Sequence, residues 1–177
     1  TPAAGHDFIC ADYSAIEGRV LAWLAGEEDA LNVYREGRDP YKVAAAAIYH
    51  TTADAVDKSQ RQVGKVAELA CGYQGGVNAF NRMAENYGVE LPESEVKSIV
   101  EKWRANRPET VRYWAELERA CFAAVSKPGA VYKYRNVKFT VRNGFLAVKL
   151  PSGRCLYYAN PRIEQKEMSW GGMKAVV

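Results

Sequence analysis

The stretch Ser59-Gln60-Arg61-Gln62-Val63-Gly64-Lys65-Val66-Ala67-Glu68-Leu69-Ala70-Cys71-Gly72-Tyr73 places Arg61, Lys65, Leu69 and Tyr73 at a constant spacing of four. Each such step turns an α-helix by about 400°, so successive side chains drift by only about 40° and form one stripe about 18 Å long. Its two cations stand toward the N-terminal end, where the helix dipole also favours anions. An aromatic ring closes the other end and suits stacking on a base. Ser59-x-x-Gln62 reads as a capping box that starts the helix just before Arg61. A triphosphate at the cationic end and a base near the ring match this stripe in length and polarity. A solvated basic face with a core tyrosine is the competing reading of the same residues.

Helical spacing extends on both sides, over Ile16–Ala25, Glu28–Glu36, Pro40–His50, Lys58–Tyr73, Val77–Tyr87, Ser94–Asn106 and Pro108–Ser126. Ahead of these, the apolar run Phe8-Ile9-Cys10-Ala11 reads as a buried strand ending at Asp12. The texture changes at Pro128-Gly129. Val137, Phe139 and Val141 alternate with Lys138, Thr140 and Arg142, and Asn143-Gly144 signals a tight hairpin into Phe145–Leu150. Ser152-Gly153 turns the chain again into Arg154–Tyr158. The expected fold is mixed α/β (α+β): one strand, a mostly helical middle and a small antiparallel meander. It divides into segments 1–26, 27–107 and 108–177.

The 177 residues carry a net charge of only +3, unevenly distributed. From Lys127 to Val177 there are ten Lys and Arg against two acids, a net of +8, which leaves about −5 for the first 126 residues. Such a split suits a basic face for a polyanion beside an acidic region able to hold cations. The four cysteines are far apart and only two histidines occur, so reduced thiols in a cytoplasmic protein are expected rather than a zinc site. No run is long and apolar enough for a membrane span, and no signal-peptide pattern opens the chain. The first residue is Thr1, which points to a chain cut from something longer.

Asp12, at the end of the expected strand, is placed to present a carboxylate to a cleft, and such hard oxygen donors suit magnesium. Glu17 follows five residues later. Ser14-x-x-Glu17 is also a capping-box pattern, so Glu17 has a purely structural reading as well.

Together these segments resemble the A and B motifs of family A DNA polymerases, the DNA polymerase I family. Asp12-Tyr13-Ser14-Ala15-Ile16-Glu17-Gly18-Arg19 is similar to the family's D-Y-S-x-I-E-x-R. Arg61-x-x-x-Lys65 with Tyr73 two turns on is similar to its fingers helix, and Leu150-Pro151-Ser152-Gly153-Arg154 to the palm segment after the fingers. Leu21-Ala22-Trp23-Leu24-Ala25-Gly26 and Gly72-Tyr73-Gln74-Gly75-Gly76 resemble phage or prophage members.

The resemblance implies DNA-directed DNA synthesis by two-metal nucleotidyl transfer from a dNTP to a primer 3′-hydroxyl. It makes 1–26 a palm segment, 27–107 the fingers, and 108–177 a long helix with a palm meander. Asp12 and the backbone carbonyl of Tyr13 become magnesium ligands. Arg61 and Lys65 hold phosphates, and Lys65 is also a proton donor. Glu17 sits under the sugar, hydrogen-bonded to Tyr73, and Tyr73 packs at the templating base pair. The basic meander residues Lys133, Arg135, Lys138, Arg142, Lys149 and Arg154 lie near primer–template phosphates. The partners implied are primer–template DNA and dNTPs, with a monomer and no membrane, in the cytoplasm of a bacterium or phage-infected cell.

Three positions depart from the family pattern. Leu69 stands where Phe or Tyr is usual, Gln74 where a glycine commonly follows the tyrosine, and Tyr41 follows Asp39-Pro40 where many members carry a phosphate-contacting His. The family's His-Asp-Glu motif, source of the second metal carboxylate, occurs nowhere in the chain. The 177 residues alone are therefore expected to be inactive. Two further readings remain at this stage: a non-catalytic nucleic-acid-binding remnant of a prophage polymerase, and a single-subunit RNA polymerase. Glu17 argues against the second, because a carboxylate under the sugar disfavours ribonucleotides.

Overall fold

The computed structural model describes residues 1–168 and 171–177. Among them seven α-helices lead into six strands. The helices are α1 (Ile16–Ala25), α2 (Glu28–Arg35), α3 (Pro40–Tyr49), α4 (Lys58–Cys71), α5 (Val77–Asn86), α6 (Glu93–Ala105) and α7 (Pro108–Ser126). The strands are β1 (Val131–Tyr134), β2 (Val137–Arg142), β3 (Phe145–Lys149), β4 (Cys155–Ala159), β5 (Glu164–Glu167) and β6 (Met173–Val176). Strands β1 to β4 form an antiparallel sheet in sequence order, and β5 pairs with β6. The class is mixed α/β, as the sequence indicates. No helix among the described residues is long and apolar enough to cross a membrane. The chain divides into two compact units, Thr1–Trp23 with Glu28–Trp103, and Leu24–Glu27 with Arg104–Val177.

In the first unit α4 buries Val63, Val66, Ala67, Ala70 and Cys71, a stripe at steps of three and four. Ala44, Ala45 and Ile48 of α3, Phe80 and Ala84 of α5, and Val96, Ile99, Val100 and Trp103 of α6 are buried in the same unit. The Trp103 indole Nε1 donates to Glu68 Oε1 at 3.1 Å, giving the buried ring a polar partner. Gly64 permits a close approach between α3 and α4: a Cβ there would collide with the Tyr41 carbonyl oxygen and stand 3.0 Å from Ala45 Cβ. In an open helix, glycine to alanine gains up to about 1 kcal/mol. Here the sign reverses, because overpacking costs about 1–3 kcal/mol. Gly64→Ala is therefore expected to lower the urea midpoint of the chain. A raised midpoint would mean that the two helices are not held this close.

In the second unit α7 packs on one face of the four-stranded sheet, with Ala120 and Ala124 against Val137, Phe139, Val141 and Leu146. The Asn143-Gly144 hairpin is formed as read, with φ of 50° and 78° at its two central residues. Arg107, the residue before α7, supplies no side-chain cap. Buried Glu27 does so instead: its Oε2 accepts from the Thr110 amide at 3.0 Å and from Thr110 Oγ1 at 3.3 Å. Gly26, at φ 68°, lets the Arg135 guanidinium approach to 2.6 Å of where a Cβ would stand.

Three local readings are corrected. Phe8–Ala11 forms no strand, and Phe8 and Ile9 are 69% and 97% exposed. An apolar run becomes a buried strand only beside a partner that satisfies its backbone, and none pairs with it among the described residues. The capping box of α4 is Asp57 with Gln60, not Ser59 with Gln62: the Gln60 amide donates to Asp57 Oδ1 at 2.8 Å, and Gln60 Oε1 accepts from the Asp57 amide at 3.2 Å. Both pairs fit the pattern. The charged acceptor sits at the positive end of the helix and also takes the Ser59 hydroxyl at 2.7 Å. Finally, Ser14 does not cap α1, because Ala15, at φ 49°, stands between it and the first helical residue.

Candidate nucleotide and metal site

Arg61 and Lys65 lie one turn apart on α4, and each guanidinium or ammonium group rests over a tyrosine ring. Arg61 is 5.2 Å from the Tyr41 ring centroid and Lys65 is 4.4 Å from that of Tyr87. Arg61 Nε also donates to Asp39 Oδ2 at 2.6 Å. The other Asp39 oxygen caps α3 through the amides of Tyr41 and Lys42, with Pro40 at the first turn. One carboxylate therefore starts α3 and fixes the arginine of α4. Burial pushes the Asp39 carboxyl up, but Arg61 and the two capping amides outweigh it and hold its pKa below the ordinary value. The ion pair is thus intact at neutral pH and weakens as pH falls through that lowered range.

Tyr41, under Arg61, is partly buried. Its hydroxyl pKa is raised chiefly by burial, further by the charges of Tyr87, Glu68 and Glu17, and opposed by Arg61. Arg61, Lys65, Tyr41 and Tyr87 form one cluster. Tyr87 reaches it because it ends α5, whose preceding turn folds the chain back after α4.

The stripe read from spacing is interrupted at its last member. Helix α4 stops at Cys71, and Tyr73 stands in the following turn, 74% exposed, while Leu69 is half-buried on the helix. Glu17 and Tyr73 are both exposed, and no hydrogen bond joins them, contrary to the expectation. The turn also gives the Gln74 departure a physical content. Gln74 has φ 62°, a left-handed conformation that glycine adopts without penalty, and its amide donates to the Cys71 carbonyl at 2.9 Å.

Asp12 and Tyr13 are exposed on the segment before α1. Arg19 fastens that segment: its Nε donates to the Ser14 carbonyl at 2.9 Å, and its guanidinium lies 4.5 Å over the Tyr34 ring. The Asp12 carboxylate and the Tyr13 carbonyl are hard oxygen donors, the chemistry magnesium takes, though few for a complete shell. Among the described residues no three His, Cys, Asp or Glu side chains gather into a metal cluster. The cysteines are free thiols.

The meander cations separate into groups. Lys133 pairs with Lys138 and Lys138 with Lys149, so the three form one row across β1, β2 and β3. Arg142 shares that face, and Arg154 is exposed in the turn before β4. Arg135 is drawn away, 3.8 Å from Glu109 and against Gly26. The partners Asp39 and Tyr87 were missed in the sequence, although Asp39-Pro40 is a recognisable helix start.

The family model for DNA polymerase family A matches residues 1–137. The DNA polymerase of Bacillus phage SP02 is 41% identical over 169 residues, covering 94% of this chain and 26% of that protein. DNA polymerase I of Chloroflexus aurantiacus is 37% identical over 86 residues, 49% of this chain and 9% of its own. The thermostable DNA polymerase I of Thermus filiformis is 34% identical over 112 residues, 63% and 13% of the two chains. The chain thus spans about a quarter of the phage relative and about a tenth of the two bacterial ones. The match from Thr1 to Val137 takes in both the Asp12 segment and all of α4, and on that extent this chain belongs to family A of the DNA polymerases.

Proposed function

We propose that this chain is the nucleotide-holding part of a DNA-directed DNA polymerase, combining part of a palm with the fingers. The observation that carries the reading is the pair Arg61 and Lys65, one turn apart, each steadied by a tyrosine ring. A triphosphate is a multivalent anion, and two cations already oriented lose little freedom on binding it. Arg61 exchanges its Asp39 partner for phosphate oxygens. Lys65 holds the leaving pyrophosphate and gives it a proton. Asp12 and the Tyr13 carbonyl would hold magnesium, which when bound supplies charge stabilisation to the primer hydroxyl and the leaving group. The chain by itself offers one such carboxylate and no His-Asp-Glu motif, so the isolated 177 residues do not extend a primer.

Glu17, in the segment that resembles the family's D-Y-S-x-I-E-x-R, selects the sugar by leaving no room for a 2′-hydroxyl. The test is single-nucleotide extension by a polymerase of the relatives' full length that carries this chain. Glu17→Ala is expected to raise ribonucleotide use relative to deoxynucleotide use by about tenfold or more, the scale of one discriminating contact. Unchanged sugar selectivity, with only a loss of stability, would remove Glu17 from the sugar site.

A further inference from the structure

The outward face of the four-stranded sheet, opposite α7, is built from Val131 and Lys133 of β1, and Lys138, Thr140 and Arg142 of β2. Phe145, Ala147 and Lys149 of β3, and Cys155, Tyr157 and Ala159 of β4 complete it. Four of these residues are cations and none is an acid. From Lys127 to Ile163 the chain contains no Asp or Glu at all. Lys133, Lys138 and Lys149 face one another directly in the register. Like charges in that arrangement destabilise a sheet, so folding alone gives no reason for the row. Two rings share the face with the cations, Phe145 at 47% and Tyr157 at 67% exposure. A salt bridge to Glu109 occupies Arg135, but among the described residues none reaches the three lysines.

We propose that this face binds single-stranded nucleic acid. Neighbouring strands lie about 4.8 Å apart, so the lysine row is about 10 Å long and spans two or three successive phosphates of one strand. Exposed rings beside such a track accept unpaired bases, which duplex DNA keeps stacked inside. A purely ionic surface for duplex DNA, or for an acidic protein, has no use for the rings. The family model ends at Val137, the first residue of β2, whereas the phage relative is similar over 94% of the chain. The lysines at 138 and 149 and both rings therefore lie outside what the family model matches. The proposal does not depend on the nucleotide site at α4.

The test uses the 177-residue chain with a labelled oligothymidylate, a duplex of equal length and polyglutamate, each titrated at several salt concentrations. Three changes together, Lys133→Gln, Lys138→Gln and Lys149→Gln, are expected to weaken oligothymidylate binding at least tenfold at about 0.1 M salt and to reduce the salt slope by about two to three. Tyr157→Ala is expected to weaken it about fivefold or more with the slope unchanged. Removing equal charge at Lys58, Arg82 and Lys97, all exposed in the other unit, is expected to leave binding within twofold. Circular dichroism checks the fold of each variant. Lys138→Gln alone, at the centre of the row, gives the same readout with a smaller change if the triple variant unfolds. The proposal is overturned if the duplex or polyglutamate binds as tightly as the single strand. It is equally overturned if the control triple matches the sheet triple, or if Tyr157→Ala leaves affinity unchanged.

Discussion

Replacing Asp12 with alanine, in a polymerase of full length, is expected to lower nucleotide incorporation about a thousandfold or more while DNA affinity stays within about twofold. The size follows from the role: a carboxylate that holds a catalytic cation contributes several kcal/mol, and about 4 kcal/mol is a thousandfold in rate. The selectivity follows from position. Asp12 is exposed on a segment fastened by Arg19 to the Ser14 carbonyl, so removing its carboxylate takes away no packing. Asp12→Ala should therefore melt with the parent protein. Single-turnover extension with magnesium, beside a DNA titration, reads both quantities. Near-normal extension would take Asp12 out of the metal site.

The second large effect falls on α4. Lys65→Ala is expected to lower kcat about a hundredfold, the low end of what a positioned proton donor contributes. Arg61→Ala is expected to act mainly on KM for the dNTP, by about tenfold to a hundredfold, because a charge-assisted hydrogen bond is worth about 1.5–3 kcal/mol. The two differ because their neighbours differ. Arg61 is tethered by Asp39 at 2.6 Å and lies over Tyr41, whereas Lys65 has only the Tyr87 ring beneath it in this cluster. Arg61→Ala also leaves Asp39 without its ion pair, so some of its cost appears as lower stability. Comparing urea midpoints separates that part from lost nucleotide binding.

Much of this arrangement was legible in the sequence, for reasons that also mark where legibility ended. The helices were readable because their buried stripes repeat at three and four, as Val63, Val66, Ala67 and Ala70 do in α4. The hairpin was readable because Asn143-Gly144 carries positive φ at low cost. The run Phe8–Ala11 misled because hydrophobicity alone says nothing about which strand would pair with it. The α4 cap was misplaced by two residues because two overlapping patterns competed, and the carboxylate of Asp57 is the better acceptor.

Spacing singled out Arg61 and Lys65, but not the side chains they meet. Tyr41 appeared only as a departure from the usual histidine. That it lies under Arg61 follows from the α3–α4 approach that Gly64 allows. Tyr73 illustrates the opposite case. Its spacing of four continued the stripe on paper, but the helix ends at Cys71, and only the turn carries the ring onward.

The central claim is that the cationic face of α4 serves the nucleotide rather than the DNA backbone. The most direct measurement is single-nucleotide incorporation by the full-length polymerase carrying Arg61→Ala together with Lys65→Ala, paired with primer–template affinity in the same buffer. The account predicts that kcat/KM for the dNTP falls by at least about a thousandfold, while the Kd for primer–template stays within about threefold. DNA affinity lost in proportion, with dNTP kinetics intact on saturating DNA, would contradict it and make α4 a backbone clamp.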